Sequence, residues 1–394
     1  MVILIFAGNR QGILFVWKYW HKIEKMTDQE LIALMRLQKI PQLGPVRSRK
    51  LIGLAGSALE VFQNRVYRNF CKHKPELLKE FEKVSYAKAA AAELAKSRSL
   101  GLQCYAYFDP EYPNLLRNCN DAPLTLFSKG NTSWNNRRIL AVVGTREMTP
   151  YGQRVCDNFI SGIAAAEPVI VSGLAFGVDI YAQRCALKHG LTTIGCLAHG
   201  LDSIYPKAHA QWAKSIEKNG GFVSEFWTNT APEAFNFVRR NRIIAGLAAA
   251  TVVIESGSKG GSLITANFAF DYNREVFAVP GRTDDPQSRG CNDLIRDQKA
   301  QLLSTPEHFL EAMQWEITPK PVQESNFIAP GHWTEAEKRL AATLHGADTL
   351  SMDYLIRYLN LTVQELSTAL FNLEMQGFIQ PLPGKNFAWR GKGN

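Results

Sequence analysis

The chain has 394 residues, too many for one small core, so two or three domains are expected. With 46% hydrophobic and 21% charged residues it has the composition of an ordinary soluble globular protein, and no apolar run is long enough to span a bilayer. A formal net charge of +9 favours a polyanionic partner without identifying one. Seven cysteines, at positions 71, 104, 119, 156, 185, 196 and 291, are scattered and never spaced C-x-x-C. A zinc site or a disulfide framework is not expected, and a reducing, cytoplasmic setting fits.

Residues 1–25 mix apolar stretches with Arg10 and Lys18 in an order unlike a signal peptide. Met26 is followed by Thr27-Asp28-Gln29-Glu30, a capping-box pattern before the apolar stripe Leu31, Leu34, Met35. Residues 1–25 are therefore expected to be an extension upstream of a natural start at Met26, the alternative being a genuine N-terminal strand or helix. Residues 26–105 read as a small helical domain of the SAM or helix-hairpin-helix kind. In it, Leu43-Gly44-Pro45 forms the turn between two helices and is followed by Arg47, Arg49 and Lys50. That turn either presents N–H groups to a phosphate or carries solvated cations. Lys88–Lys96 is Ala-rich and should be helical.

Residues 106–314 change texture. Short β-branched runs at Ile139–Val143, Val169–Ser172, Thr192–Leu197, Phe222–Phe226, Thr251–Glu255 and Glu275–Val279 alternate with helical segments. This alternation predicts an α/β fold, an extended Rossmann-like doubly wound parallel sheet, with ligands at the carboxyl ends of its strands. Residues 315–333, with Pro319, Pro321, Pro330 and Gly331, read as a linker. Residues 334–390 give three helical segments and a terminal hairpin around Pro383-Gly384-Lys385-Asn386, which predicts a C-terminal winged helix.

The turns after the strands carry the chemistry. Gly144-Thr145-Arg146 places a fork-shaped cation at a strand end, to grip a phosphate or to stand as a surface arginine. Ser172-Gly173-Leu174-Ala175-Phe176-Gly177-Val178-Asp179 imitates part of a dinucleotide fingerprint but lacks the G-x-G-x-x-G spacing, and Asp179 reads equally as a helix cap. Lys207 opens a helix after Tyr205-Pro206, against the helix dipole unless an anion lies near. Phe237, Arg239, Arg240, Asn241 and Arg242 mix a ring with cations, the composition that holds single-stranded nucleic acid. Phe235 is expected in the core, Phe237 is left open, and His199 and His209 read as satisfied structural histidines. Finally Ser258-Lys259-Gly260-Gly261-Ser262 opens a helix with free backbone N–H groups, an anion site. No nucleophile, metal cluster or acid–base pair accompanies these turns, so no catalytic residue, metal or cofactor is expected.

Taken together the turns resemble the DNA-processing protein A family, DprA or Smf, over residues 27–300. The resemblance rests on Asp109-Pro110-Glu111-Tyr112-Pro113, Gly144-Thr145-Arg146, Ser172-Gly173 through Asp179, Tyr205-Pro206-Lys207, Arg240-Asn241-Arg242 and Gly260-Gly261-Ser262, and on Val279-Pro280-Gly281 with Ser288 through Ile295. It implies a single-stranded DNA-binding protein, a homodimer, that loads RecA recombinase onto incoming strands during natural transformation. The family's binding cations fall on Arg146 and Lys207, with Phe237 and the Arg-Asn-Arg cluster in the same pocket. Thr145 stands where the family usually has Ser and keeps the hydroxyl. Val238 stands where it usually has Pro, which leaves the backbone before Arg239 open.

Two rival readings are set beside this one. Nucleoside-monophosphate phosphoribohydrolases share the general fold, but their catalytic Glu is absent from Leu263-Ile264-Thr265-Ala266-Asn267. A duplex-reading winged helix needs cations on its third helix. Val363–Gln376 has no Lys or Arg and carries Glu365 and Glu374, with basic residues only at Lys385, Arg390 and Lys392. The C-terminal segment is therefore expected to contact protein or to assist DNA binding weakly.

Overall fold

A computed structural model describes residues 26–135, 137–315, 329–345, 349–359, 361–382 and 384–391. The expectations for residues 1–25 and for 316–328 of the linker lie outside the described residues. The chain divides into two compact units, one running to Trp315 and one from Glu316.

The first unit is built on a nine-stranded sheet. Its strands are β1 (Gln103–Ala106), β2 (Thr125–Gly130), β3 (Ile139–Val143), β4 (Val169–Ser172), β5 (Thr193–Cys196), β6 (Gly220–Ser224), β7 (Ala250–Val253), β8 (Glu275–Ala278) and β9 (Gln301–Leu302). Their spatial order is β1-β2-β6-β5-β4-β3-β7-β8-β9. From β6 through β9 all pairs are parallel, while β1 and β2 add an antiparallel edge. The central strands β3, β4 and β7 are buried at every residue, as the near-continuous apolar runs of a doubly covered parallel sheet require. β1, β2 and β9 were not foreseen: they are short, edge-lying and mixed in composition.

After β3 the chain moves outward on one side through β4 and β5 to β6, then returns to the other side of β3 as β7. Between strands whose connections depart in opposite directions the loops splay apart and leave a crevice. The turns after β3, β4 and β7 all open there.

Six helices lie between Asp28 and Ser99. Thr27 caps the first by accepting the Glu30 N–H. The expected capping box is only half formed, because the Glu30 carboxylate accepts instead from the N–H groups of Ala58 and Leu59, at the start of the helix Ala58–Gln63. These helices share one hydrophobic core with the sheet, in which Leu34, Leu51 and Phe81 join Phe127, Leu174 and Phe222. Arg49 donates to the carbonyls of Asn120 and Ala122, so it ties helix to sheet, while Arg47 and Lys50 stay exposed.

The second unit has helices Glu335–His345, Met352–Leu359 and Val363–Met375 and strands β10 (Leu350–Ser351), β11 (Ile379–Leu382) and β12 (Asn386–Trp389), the winged-helix pattern. Trp333, assigned above to the linker, is buried in its core beside Leu340, Leu366 and Leu373. In its third helix Glu365 completes a capping box with Thr362, and Phe371 and Met375 are exposed. Among the described residues no helix is long and apolar enough to cross a membrane.

Candidate nucleic-acid interface

A cavity of about 650 Å³ sits at the reversal point of the sheet. Its walls come from Gly144, Thr145 and Arg146 after β3, Ala175 and Asp179 after β4, Phe237, Arg240 and Asn241 on the helix Ala234–Leu247, and Lys259 through Ser262 after β7. Turns separated by more than a hundred residues therefore meet at one place.

Glycine is required at two positions of the turn after β4. A Cβ on Gly177, whose φ is +73°, would lie 2.2 Å from the Thr145 carbonyl oxygen and 2.6 Å from that of Arg146. Only glycine lets the turn after β4 close against the turn after β3. A Cβ on Gly173 would lie 2.6 Å from both the Arg240 guanidinium carbon and an Asp179 carboxylate oxygen. Space there is already filled by the polar frame of the site.

Three side chains make that frame. Asp179 is buried and accepts the Gly173 N–H at 3.0 Å. It lies in the first turn of the helix Val178–Lys188 but caps no N–H of that helix, so it works across the turn. Burial raises its carboxyl pKa, and the Arg240 charge opposes that rise. Arg240, 4% exposed, donates to the carbonyls of Gly173 and Cys196 at 2.5 and 2.6 Å. Burial lowers its pKa and Asp179 opposes the shift. Asn241 accepts from Arg240 at 3.1 Å and donates to the Gly261 carbonyl at 3.1 Å, joining the frame to the glycine turn.

The remaining expected cations divide. Arg146 is exposed, makes no ion pair among the described residues, and holds its guanidinium 5.6 Å from the Phe237 ring centroid. Lys259 is exposed on the cavity wall. Lys207 is exposed at the start of the 3-10 turn Lys207–His209, outside the cavity lining. Arg242 does not present a charge: it is buried, paired with Glu225 and bonded to the Asp121 carbonyl. Burial works to lower its pKa, but Glu225 and Asp121 hold it above the ordinary arginine value. Arg239 shares Glu225 at 3.0 Å and lies over Phe226. The expected run of anion-gripping cations is thus corrected: Arg242 and Arg240 are internal struts, and Arg239 is half turned inward.

Phe235, expected in the core, is 69% exposed. The helical stripe that packs inward is Asn236, Arg240, Ile243, Ile244 and Leu247, and position 235 falls outside it. The helix runs unbroken through Val238, which settles the path before Arg239. Phe237 is half-buried on the cavity wall, against both Arg146 and Arg240.

The glycine turn after β7 ends in the helix Gly261–Asp271, whose first turn no side chain caps. Ser262 donates to Ser256 and is buried, so its hydroxyl is engaged, while Ser258 is exposed outside the lining. Ser172 is likewise internal, donating to the Val142 carbonyl at 2.6 Å. Gln287 and Glu147 line the cavity and were not singled out, and Val238, noted above only for the backbone path, lines it too. Gln287 was legible only as part of the stretch between Gly281 and Ser288. It is placed by its carbonyl, which accepts the Ser256 N–H at 2.7 Å.

His209 donates its Nδ1–H to the Leu174 carbonyl at 2.8 Å, as a structural histidine should. His199 does the same with Gly200, but its buried Nε2 has no partner. Among the described residues no His, Cys, Asp or Glu cluster could hold a metal, and none of the seven cysteines forms a disulfide.

What this arrangement offers is an open crevice with exposed cations, one ring and a helix N-terminus, suited to an extended anion. Residues 103–314 match the family described as DNA recombination-mediator protein A, and residues 329–385 match the DprA winged helix domain. The chain is 38% identical to Protein Smf of Escherichia coli (strain K12) over 277 residues, which covers 69% of this chain and 74% of that one. It is 37% identical to the DNA processing protein DprA of Bacillus subtilis (strain 168) over 219 residues, 55% of this chain and 74% of that one. The crystal structure of DNA processing protein A from Streptococcus pneumoniae superposes with a TM-score of 0.61 at 30% identity, covering 73% of this chain and 98% of that one. On its sequence, its sheet and its C-terminal winged helix, the chain belongs to the DNA recombination-mediator protein A family, the DprA/Smf proteins.

Proposed function

We propose that the protein binds single-stranded DNA along the crest of its sheet, without breaking a bond in it, and serves as a homodimeric cytoplasmic mediator. In that role it protects incoming strands and loads RecA recombinase during natural transformation and homologous recombination. The observation that carries the reading is Arg146, an exposed guanidinium without an ion pair among the described residues, beside Phe237 at the mouth of the cavity. A fixed cation next to an accessible ring binds phosphate and base together without reading sequence. The RecA and dimer parts of the proposal come from membership of the family.

The non-catalytic part rests on what lines the cavity. Its carboxylates are Glu147, exposed at the rim, and Asp179, committed to Gly173 and Arg240. The helix after the glycine turn carries no Glu where the nucleotide hydrolases of similar fold have one.

The test is binding of labelled oligo-dT and a matched duplex across a salt series, for the wild type and Arg146→Ala. Tight, salt-sensitive binding to the single strand that the substitution removes is expected. Equal affinity for the duplex, or an Arg146→Ala variant that binds like the wild type, refutes the reading. Release of adenine from AMP refutes the non-catalytic part. Sedimentation of the free protein tests the dimer.

A further inference from the structure

Two exposed aromatic rings stand on the crest outside the cavity. Phe176, in the turn after β4, is 49% exposed, and Tyr205, in the turn after β5, is 45% exposed. Single exposed apolar residues are common and carry no message. These two are neither isolated nor loose.

Tyr205 lies 6.0 Å from Phe237, the ring that Arg146 overlies. Two residues on is Lys207, whose 3-10 turn also carries His209. The His209 ring meets Phe176 edge-on at 4.7 Å. The crest therefore runs Arg146, Phe237, Tyr205, Lys207, Phe176, with rings and cations interleaved.

Each outer ring is held from behind by a buried histidine. His209 is fixed through the Leu174 carbonyl. His199, whose ring lies 6.4 Å from Tyr205, is fixed through the Gly200 carbonyl. The backbone beside Phe176 is locked too, since Gly177 closes onto Arg146. The acid on the Tyr205 turn, Asp202, is turned away: its carboxylate accepts the Asn229 N–H at 3.0 Å and lies 3.8 Å from Lys96. Rigid rings with solvent-facing surface beside unopposed cations fit a flexible polyanion with flat bases better than they fit solvent.

We infer that Tyr205 and Phe176 are base-stacking positions, which carry a single strand out of the cavity and past Lys207. The inference rests on the reading of the crest as a single-strand site and extends it to residues that the sequence motifs do not single out as ligands. Phe237 and Arg146 engage the strand in the cavity; Tyr205 and Phe176 engage the nucleotides beyond it.

The test uses the full chain, with oligo-dT and an oligonucleotide of equal length carrying abasic positions as probes. Wild type is expected to prefer oligo-dT. Tyr205→Ala and Phe176→Ala are each expected to lose about tenfold on oligo-dT and little on the abasic strand, since one base–ring stack is removed. Their salt dependence should match the wild type, because no phosphate contact changes. Tyr205→Phe should keep the affinity, and Tyr205→Leu, which keeps apolar bulk without the ring, should not. If Arg146→Ala loses binding while the Tyr205 and Phe176 variants bind oligo-dT like the wild type, the crest reading stands and this inference fails, the rings then belonging to a protein contact. If the wild type does not bind oligo-dT at all, both fail.

Discussion

Arginine serves two regions of this molecule in opposite ways. In the turn after β3, Arg146 is exposed, unpaired among the described residues and close to a ring. On the helix Ala234–Leu247, Arg240 and Arg242 are buried and hold carbonyls and a carboxylate. The residue type is the same in both. The difference lies in partners: Glu225 and Asp179 meet the inward arginines, and among the described residues no acid pairs with Arg146. A cation whose charge is matched inside the protein builds the site, and one left unmatched at its edge is free to bind.

The largest expected effect breaks the inner region. Arg242→Met leaves the Glu225 carboxylate, 2% exposed, with only the half-exposed Arg239 as counter-charge. A loss of about 3–5 kcal/mol in unfolding free energy is expected from denaturant titration, and Arg242→Met with Glu225→Leu should recover most of it. Gly173→Ala comes next, because the added methyl group meets Arg240 and Asp179 at 2.6 Å. A cost of about 1–3 kcal/mol is expected, with weakened oligo-dT binding because Arg240 braces Phe237. Arg146→Ala should do the reverse: stability within about 0.5 kcal/mol of wild type, oligo-dT affinity down about tenfold or more, and a salt slope lower by about one. If Arg146→Ala destabilised the fold, or Arg242→Met left it intact, the contrast between the two regions would collapse.

How much of this was written in the sequence depends on whether the signal was local. The strands Ile139–Val143 and Val169–Ser172 lie where the β-branched runs put them, because a buried parallel strand announces itself by composition alone. β1 and β2 were missed because an antiparallel edge needs no such run, and β9 has only two residues. The turn after β4 was legible as a glycine turn, and an added Cβ at Gly173 or Gly177 would indeed collide with its surroundings. The directions of Arg239, Arg240 and Arg242 were not legible, since they depend on Glu225, just past β6, and on Asp179, in the helix after β4. Phe235 misled by its apolarity. Reading the helical period back from Ile243, Ile244 and Leu247 leads to Arg240 and Asn236, so position beat residue type there. Tyr205 and Phe176 stood inside recognised motifs, yet nothing local says that a buried histidine backs each ring.

The smallest expected effect concerns pH and separates the two regions once more. His199 is buried, and its Nε2 lacks a partner. Burial pushes its pKa below the usual imidazole value, and the nearby Arg240 charge adds to the shift. The folded protein therefore keeps His199 neutral to a lower pH than the unfolded chain, which takes up its proton near pH 6.5. Below that value the unfolded state binds more protons, so stability is full above about pH 6.5 and falls as the pH drops towards the folded-state pKa. His199→Asn should flatten this part of the stability profile relative to wild type. Arg146→Ala, which changes no buried titrating group, should leave it unaltered. An identical acid slope in wild type and His199→Asn would mean that the ring is charged or solvated in the folded state, and the brace behind Tyr205 would then be looser than its packing indicates.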